Sequence, residues 1–148
     1  MRRFSGWCAV VPVALFLLIG CQAIDASDQR ASSYARVHYL EIVCVDVAMQ
    51  CDALERIHGV SFGEPVADFG QARIAELPDG RLIGVRAPMA EHEQPIIRTY
   101  LEVDDMTRAV KDAEAAGAVI AYPPTRQGDT GTWAIYILGD VQIGLWQR

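Results

Sequence analysis

Basic residues are scarce in this 148-residue chain, where 13 Lys plus Arg stand against 19 Asp plus Glu. That balance argues against a nucleic-acid partner, because neutralising phosphates requires a basic face. The apolar run at the N-terminus, Trp7 to Ile19, has 13 residues, short of the about 20 that a bilayer-spanning helix needs. No glycine loop shaped to cradle phosphate and no serine in a nucleophile elbow is present, so two common routes to hydrolysis lack their motifs. Cysteine is confined to Cys8, Cys21, Cys44 and Cys51, and histidine to His38, His58 and His92. What is there is ordinary globular material: charged residues make up 22% and aromatics 8%, which excludes a disordered, collagen-like or multi-span chain.

The first twenty residues carry Arg2 and Arg3, no acid, and the apolar run, which is the charge and hydropathy order of a signal peptide. The run ends in Leu18-Ile19-Gly20-Cys21, which resembles the bacterial lipobox, in which the cysteine thiol receives diacylglycerol before cleavage. The resemblance implies a lipoprotein signal peptide over residues 1–20 and lipidation of Cys21, whose acyl chains exceed the two signals that stable anchoring requires. Residues 21–36 then read as the lipidated cysteine and a small, polar, flexible tether. Gln22 is not the Asp that retains lipoproteins at the inner membrane of enteric bacteria. The expectation is a bacterial cell-envelope protein facing the periplasm and anchored through Cys21, with the outer membrane favoured. Without the leader, eleven basic residues face nineteen acidic ones, a net charge of −8.

Residues 37–148 form the folded part, and they read as two similar halves, 37–87 and 96–148. Val37 to Val45 is rich in β-branched and aromatic residues and predicts a strand. Asp46 is placed to cap a helix over Val47 to His58, whose Val47, Cys51 and Leu54 share one face, and Gly59 stops it. Strand-like runs follow near Pro65–Phe69, Gln71–Leu77 and Arg81–Arg86, with Pro78-Asp79-Gly80 as a turn. The second half repeats the order: a strand over Arg98–Val103, Asp104 as cap, a helix over Met106–Ala116, Gly117, and strands over Ala118–Tyr122, Trp133–Leu138 and Val141–Gln147. The offsets from Asp46 to Asp104 and from Gly59 to Gly117 are both 58, and Leu82-Ile83-Gly84-Val85 lies 60 residues before Gln142-Ile143-Gly144-Leu145.

The expected class is therefore α+β, with two βαβββ modules forming a curved mixed sheet around a cavity, joined by Pro88 to Pro95. This order resembles the vicinal oxygen chelate superfamily, which includes glyoxalase I, bleomycin-resistance proteins and extradiol dioxygenases. The best local matches are Tyr39-Leu40-Glu41-Ile42 leading to Asp46, Glu102-Val103-Asp104-Asp105 leading to Gly117, and a tail from Pro123-Pro124 through Gly131-Thr132-Trp133-Ala134 to Ile143-Gly144-Leu145-Trp146-Gln147. That tail is most similar to the glyoxalase-like hydroxylase and antigen branch.

Metal-dependent members of the superfamily place one ligand on the first and one on the last strand of each half. The resemblance maps those positions onto Tyr39, Gly84, Arg98 and Gly144. Glycine offers no donor, arginine repels a cation and tyrosine is a rare ligand, so no metal and no other cofactor is expected. A one-residue slip would exchange Tyr39 for His38 and Arg98 for Thr99, still leaving a single imidazole and no carboxylate among the four.

Side-chain alternation instead gathers Tyr39, Glu41, Arg98 and Tyr100 on one face, with Arg86 sharing the parity of Gly84. Converging in a cavity, they suit a small aromatic or anionic molecule, with Arg98 as its charge-assisted contact and the two glycines leaving room. The alternative is an internal Arg98–Glu41 ion pair beside a small cavity. Cys44 and Cys51 are expected to face one another as either a short disulfide or two buried thiols. His58 reads as a helix C-terminal charge, Glu91-His92-Glu93 as a solvated loop, and Trp133 and Trp146 as packing residues. Three functions remain open: a binder of a small molecule, a superfamily lyase, isomerase or hydroxylase with a displaced or absent metal site, and an interaction module, including a homodimer.

Overall fold

The computed structural model describes residues 35–148. The leader, the lipidation of Cys21 and most of the tether therefore lie outside the described residues. The elements follow in the order β1 (Val37–Val43), α1 (Val47–His58), β2 (Pro65–Val66), a 3-10 turn (Ala67–Phe69), β3 (Ala72–Glu76), β4 (Leu82–Arg86), β5 (Ile96–Glu102), α2 (Met106–Ala115), β6 (Val119–Gln127), β7 (Gly131–Leu138) and β8 (Val141–Gln147). All eight strands join one sheet in the order β2-β3-β4-β1-β5-β8-β7-β6. Each half closes on itself by a parallel pair, β1 with β4 and β5 with β8, and the halves meet through the antiparallel pair β1–β5. The expected double βαβββ architecture is the one found.

The local reasons match the sequence in the first half. Asp46 caps α1, accepting from the Met49 amide at 2.9 Å, and Gly59 ends the helix at φ 66°, a left-handed conformation that costs glycine nothing. In the second half the cap is Asp105, which accepts from the Arg108 amide at 3.0 Å, and not Asp104. Adjacent aspartates are indistinguishable by residue type, and only the position of the first helical turn selects between them. The second strand of the first half is cut short, because Pro65–Val66 pairs with β3 while Ala67–Phe69 turns out of the sheet.

The largest departure is β6, which runs on through Pro123-Pro124 to Gln127. A proline has no N–H for a ladder, yet β6 is an outermost strand, where that side can face solvent. Its pairing with β7 shifts register between Ile120 and Tyr122 and again between Tyr122 and Thr125, around the prolines.

Each helix covers the outer face of its own half. Under α1, Ile42, Cys51, Phe62, Ala75 and Val85 are buried, with Cys44, Val47 and Leu54 packed against them. Under α2, Met106, Ala134 and Leu145 do the same with Val110 and Tyr136. Cys44 faces the helix side as alternation requires, but no bond links it to Cys51. Both are free thiols, and burial pushes each above the usual thiol range. The opposite, concave face carries an aromatic cluster of Tyr39, Tyr100 and Trp146 with Ile135. Among the described residues no helix is long and apolar enough to cross a membrane.

Candidate functional site

The concave face holds a cavity of about 450 Å³, lined by Tyr39, Glu41, Arg86, Arg98 and Tyr100 together with residues of both halves. All five residues selected by strand parity are thus brought together. The alternation is in register as read, since Tyr39 and not His38 lines the cavity. The β1–β5 register sets Tyr39 opposite Tyr100 and Glu41 opposite Arg98. Cross-strand neighbours on one face lie about 5 Å apart at their Cβ atoms, so these pairs are forced into contact.

The charges are engaged with one another. Glu41 Oε1 accepts from Arg86 Nε at 2.6 Å, while Oε2 pairs with Arg98 Nη1 and accepts from the Tyr100 hydroxyl at 3.2 Å. Arg98 completes its fork on Gln142 Oε1, at 3.1 Å from Nε and 2.7 Å from Nη2. Arg86 donates bidentately to Glu93 at 2.8 and 2.6 Å, and the Met89 amide adds 2.7 Å to the same carboxylate. Burial alone would depress Arg86, but its bonds to Glu93 and Glu41 outweigh it and hold the guanidinium charged. The ion-pair alternative for Arg98 and Glu41 is therefore what forms, yet the cavity beside it stays large.

Two expectations need correction. Glu93 is no solvated loop residue: its side chain is 19% exposed and it ties the connection between halves to β4 through Arg86. Nor do the glycines leave room. A Cβ on Gly84 would stand 2.7 Å from Tyr39 Cζ, and one on Gly144 2.7 Å from Tyr100 Cε1, so each glycine lets a tyrosine ring lie flat on the sheet. The site also uses residues that parity did not select. Gln127 is buried, lines the cavity and makes no side-chain hydrogen bond among the described residues. The hydroxyl of Tyr39 is a buried donor without a partner. Trp133 and Trp146 pack as expected, and they also form the wall, with Phe69 stacked on Trp146 at 5.9 Å.

These side chains do not fit the metal that the fold family often holds. Glu41 is the one carboxylate among the parity-selected residues, both its oxygens are taken by guanidinium groups, and Arg98 would repel an ion. No cluster of three or more His, Cys, Asp or Glu able to hold an ion occurs among the described residues. Burial, reinforced by the Glu41 charge, pushes the Tyr39 and Tyr100 phenols upward, so both remain protonated donors at neutral pH.

Glu93 has a measurable consequence. Its bonds to Arg86 hold the carboxyl at about 2, below the ordinary value of about 4.3. The folded state thus binds fewer protons than the unfolded one. The contribution is complete above about pH 5 and is lost as pH falls toward 2. Urea unfolding of the Glu93→Gln variant is expected to show a deficit of about 1–3 kcal/mol at pH 7 that closes by about pH 2. A deficit independent of pH would contradict the ion pair.

The strand order, the two βαβββ halves and the concave cavity define a glyoxalase-like fold of the vicinal oxygen chelate type. Among solved structures the chain is similar to a methylmalonyl-CoA epimerase variant of Streptomyces coelicolor in complex with 2-nitronate-propionyl-CoA, at 16% identity over 78% of this chain and 99% of that one, TM-score 0.57. It is similar to the Mycobacterium tuberculosis methylmalonyl-CoA epimerase at 18% identity, covering 76% and 87% of the two chains with TM-score 0.59. A hypothetical protein from Bacillus halodurans C-125 matches at 10% identity over 78% and 96%, TM-score 0.62. At these identities the likeness establishes the shared fold. No family model and no curated protein matches the sequence.

Proposed function

We propose that this chain is a lipid-anchored protein of the bacterial cell envelope whose glyoxalase-like cavity binds a small aromatic molecule carrying neutral hydrogen-bonding groups, with no metal. The observation that carries the reading is the pairing of an aromatic wall with unused polar groups. Trp133, Trp146, Phe69 and Tyr122 offer ring surface, Gln127 offers an amide that no side-chain bond engages among the described residues, and the Tyr39 hydroxyl is the buried group left without a partner among them. Buried polar groups without partners are costly, and a ligand that completes them recovers that cost. An anionic ligand fits less well than the residue types suggest, because it would have to draw Arg98 or Arg86 away from Glu41. Cys21 supplies the membrane attachment, with the domain facing the periplasm.

Thermal unfolding in the presence of phenols, aromatic amides and aliphatic carboxylates tests the cavity. Aromatic amides or phenols are expected to raise the midpoint in a saturable way, and Gln127→Leu to weaken that binding about tenfold, corresponding to one lost hydrogen bond. A response to carboxylates alone, or to none of the panel, would overturn the ligand class. The anchor is tested separately by acyl-chain labelling, which Cys21→Ser should abolish while moving the protein out of the membrane fraction.

A further inference from the structure

A second cleft, of about 510 Å³, lies apart from the aromatic cavity and is lined by Arg36, His38, Asp79, Arg81, Glu102 and Arg148 among others. It gathers the start of β1, the β3–β4 turn, the end of β5 and the residue after β8. The guanidinium groups of Arg36, Arg81 and Arg148 converge here with the carboxylates of Asp79 and Glu102. Asp79 and Glu102 fix two of the forks: Arg81 Nε donates to Asp79 at 2.6 Å and Arg148 Nε to Glu102 at 2.8 Å. Arg36 makes no side-chain hydrogen bond among the described residues.

His38 makes the cleft more than a charged surface. It is 7% exposed, and no hydrogen bond within the described residues reaches either ring nitrogen. The ring rests on Trp146 with centroids 5.0 Å apart. It sits where the β1–β5 ladder slips, between Val37 and Tyr39, and such irregularities re-aim side chains at functional sites. Burial and the nearby Arg148 charge favour the neutral imidazole, against a smaller opposing pull from Glu102. A buried imidazole with an unused donor, beneath guanidinium groups arriving from separate chain segments, matches an oxyanion with three or four acceptor oxygens better than a two-oxygen carboxylate.

We propose that this cleft is a phosphate site, with Arg36, Arg81 and Arg148 holding the oxygens of a phosphate mono- or diester and His38 completing the cradle from its floor. It is independent of the aromatic cavity and of the function proposed for it. The phosphate can be soluble or belong to a lipid headgroup, since Ala35 and Arg36, at the end of the expected tether, line the cleft.

The test follows the His38 ring resonances by NMR in the full chain, during titration with inorganic phosphate at constant ionic strength and, separately, with vesicles of phosphatidylglycerol or of phosphatidylcholine. Phosphate is expected to move the His38 signals in a saturable way and to raise the pH at which the ring protonates. Arg36→Gln and Arg81→Gln, both at exposed positions, should each weaken the response about tenfold. A shift with phosphatidylglycerol vesicles that soluble phosphate reverses identifies a headgroup, while a shift with soluble phosphate alone identifies a free ester. Signals that stay fixed in every arm, or a response that both arginine variants leave unchanged, would overturn the site.

Discussion

Replacing Glu41 with Gln is expected to destabilise the fold by about 3–5 kcal/mol, because it removes one partner of a buried charge network and strands the others. The loss does not fall evenly. Arg86 keeps its bidentate bond to Glu93, whereas Arg98 is left with the amide oxygen of Gln142 alone. Arg98→Met should therefore be much less harmful in the Glu41→Gln background than in the unaltered protein. The double variant Glu41→Leu, Arg98→Met is expected to recover most of the stability, since well-packed apolar groups often replace a buried ion pair without loss. Chemical unfolding of the unaltered protein, Glu41→Gln, Arg98→Met and the double variant Glu41→Gln, Arg98→Met measures the coupling. Additive effects of the two substitutions would show that Glu41 and Arg98 do not act together.

Gly144→Ala is expected to destabilise the protein by about 2–3 kcal/mol through overpacking. The backbone at Gly144 is not in the left-handed region, so an L-residue fits the strand and the conflict is entirely with the Tyr100 ring. The clash is with the base of that ring, Cγ and Cδ1, which cannot swing away as a flexible chain end would. At Gly84 the conflict is with the far end of Tyr39, its hydroxyl and Cζ, so Gly84→Ala should be milder. In a Tyr100→Ala background the sign reverses, because the added methyl then fills part of the space the ring vacates. Unfolding midpoints of Gly144→Ala with and without Tyr100→Ala decide the matter, and an equal loss in both backgrounds would rule out the ring as the cause.

These two networks also show how much of the site the residue order contains. Period-two alternation put Tyr39 and Glu41 on one face, and likewise Arg98 and Tyr100, because parity is local to each strand. Which residue opposes which depends on the register in which β1 and β5 pair, and nothing in residue type marks that register. Once Glu41 is known to lie opposite Arg98, the choice between the two readings of Arg98, ligand contact or internal ion pair, falls to the ion pair. Glu93 was invisible for a different reason: it lies in an irregular connection, where no periodicity aims a side chain, and its role comes from the path that carries it back over Arg86. The glycines were located by comparing the halves, but what occupies the space above them is a rotamer choice of residues on a neighbouring strand. The helix boundaries were legible because caps and stops are local chemistry. The shift from Asp104 to Asp105 shows the limit of that locality.

Proline lies on both outermost strands, at Pro65 in β2 and at Pro123 and Pro124 in β6. An open eight-stranded sheet has two rims at which another chain could add by hydrogen bonding. One rim is only two residues long, and the other lacks consecutive amide donors in its middle. Ladder growth from molecule to molecule, the first step of fibrous aggregation, is thereby blocked at both ends. Any pairing of two copies would then have to proceed by packing surface against surface rather than by continuing the sheet.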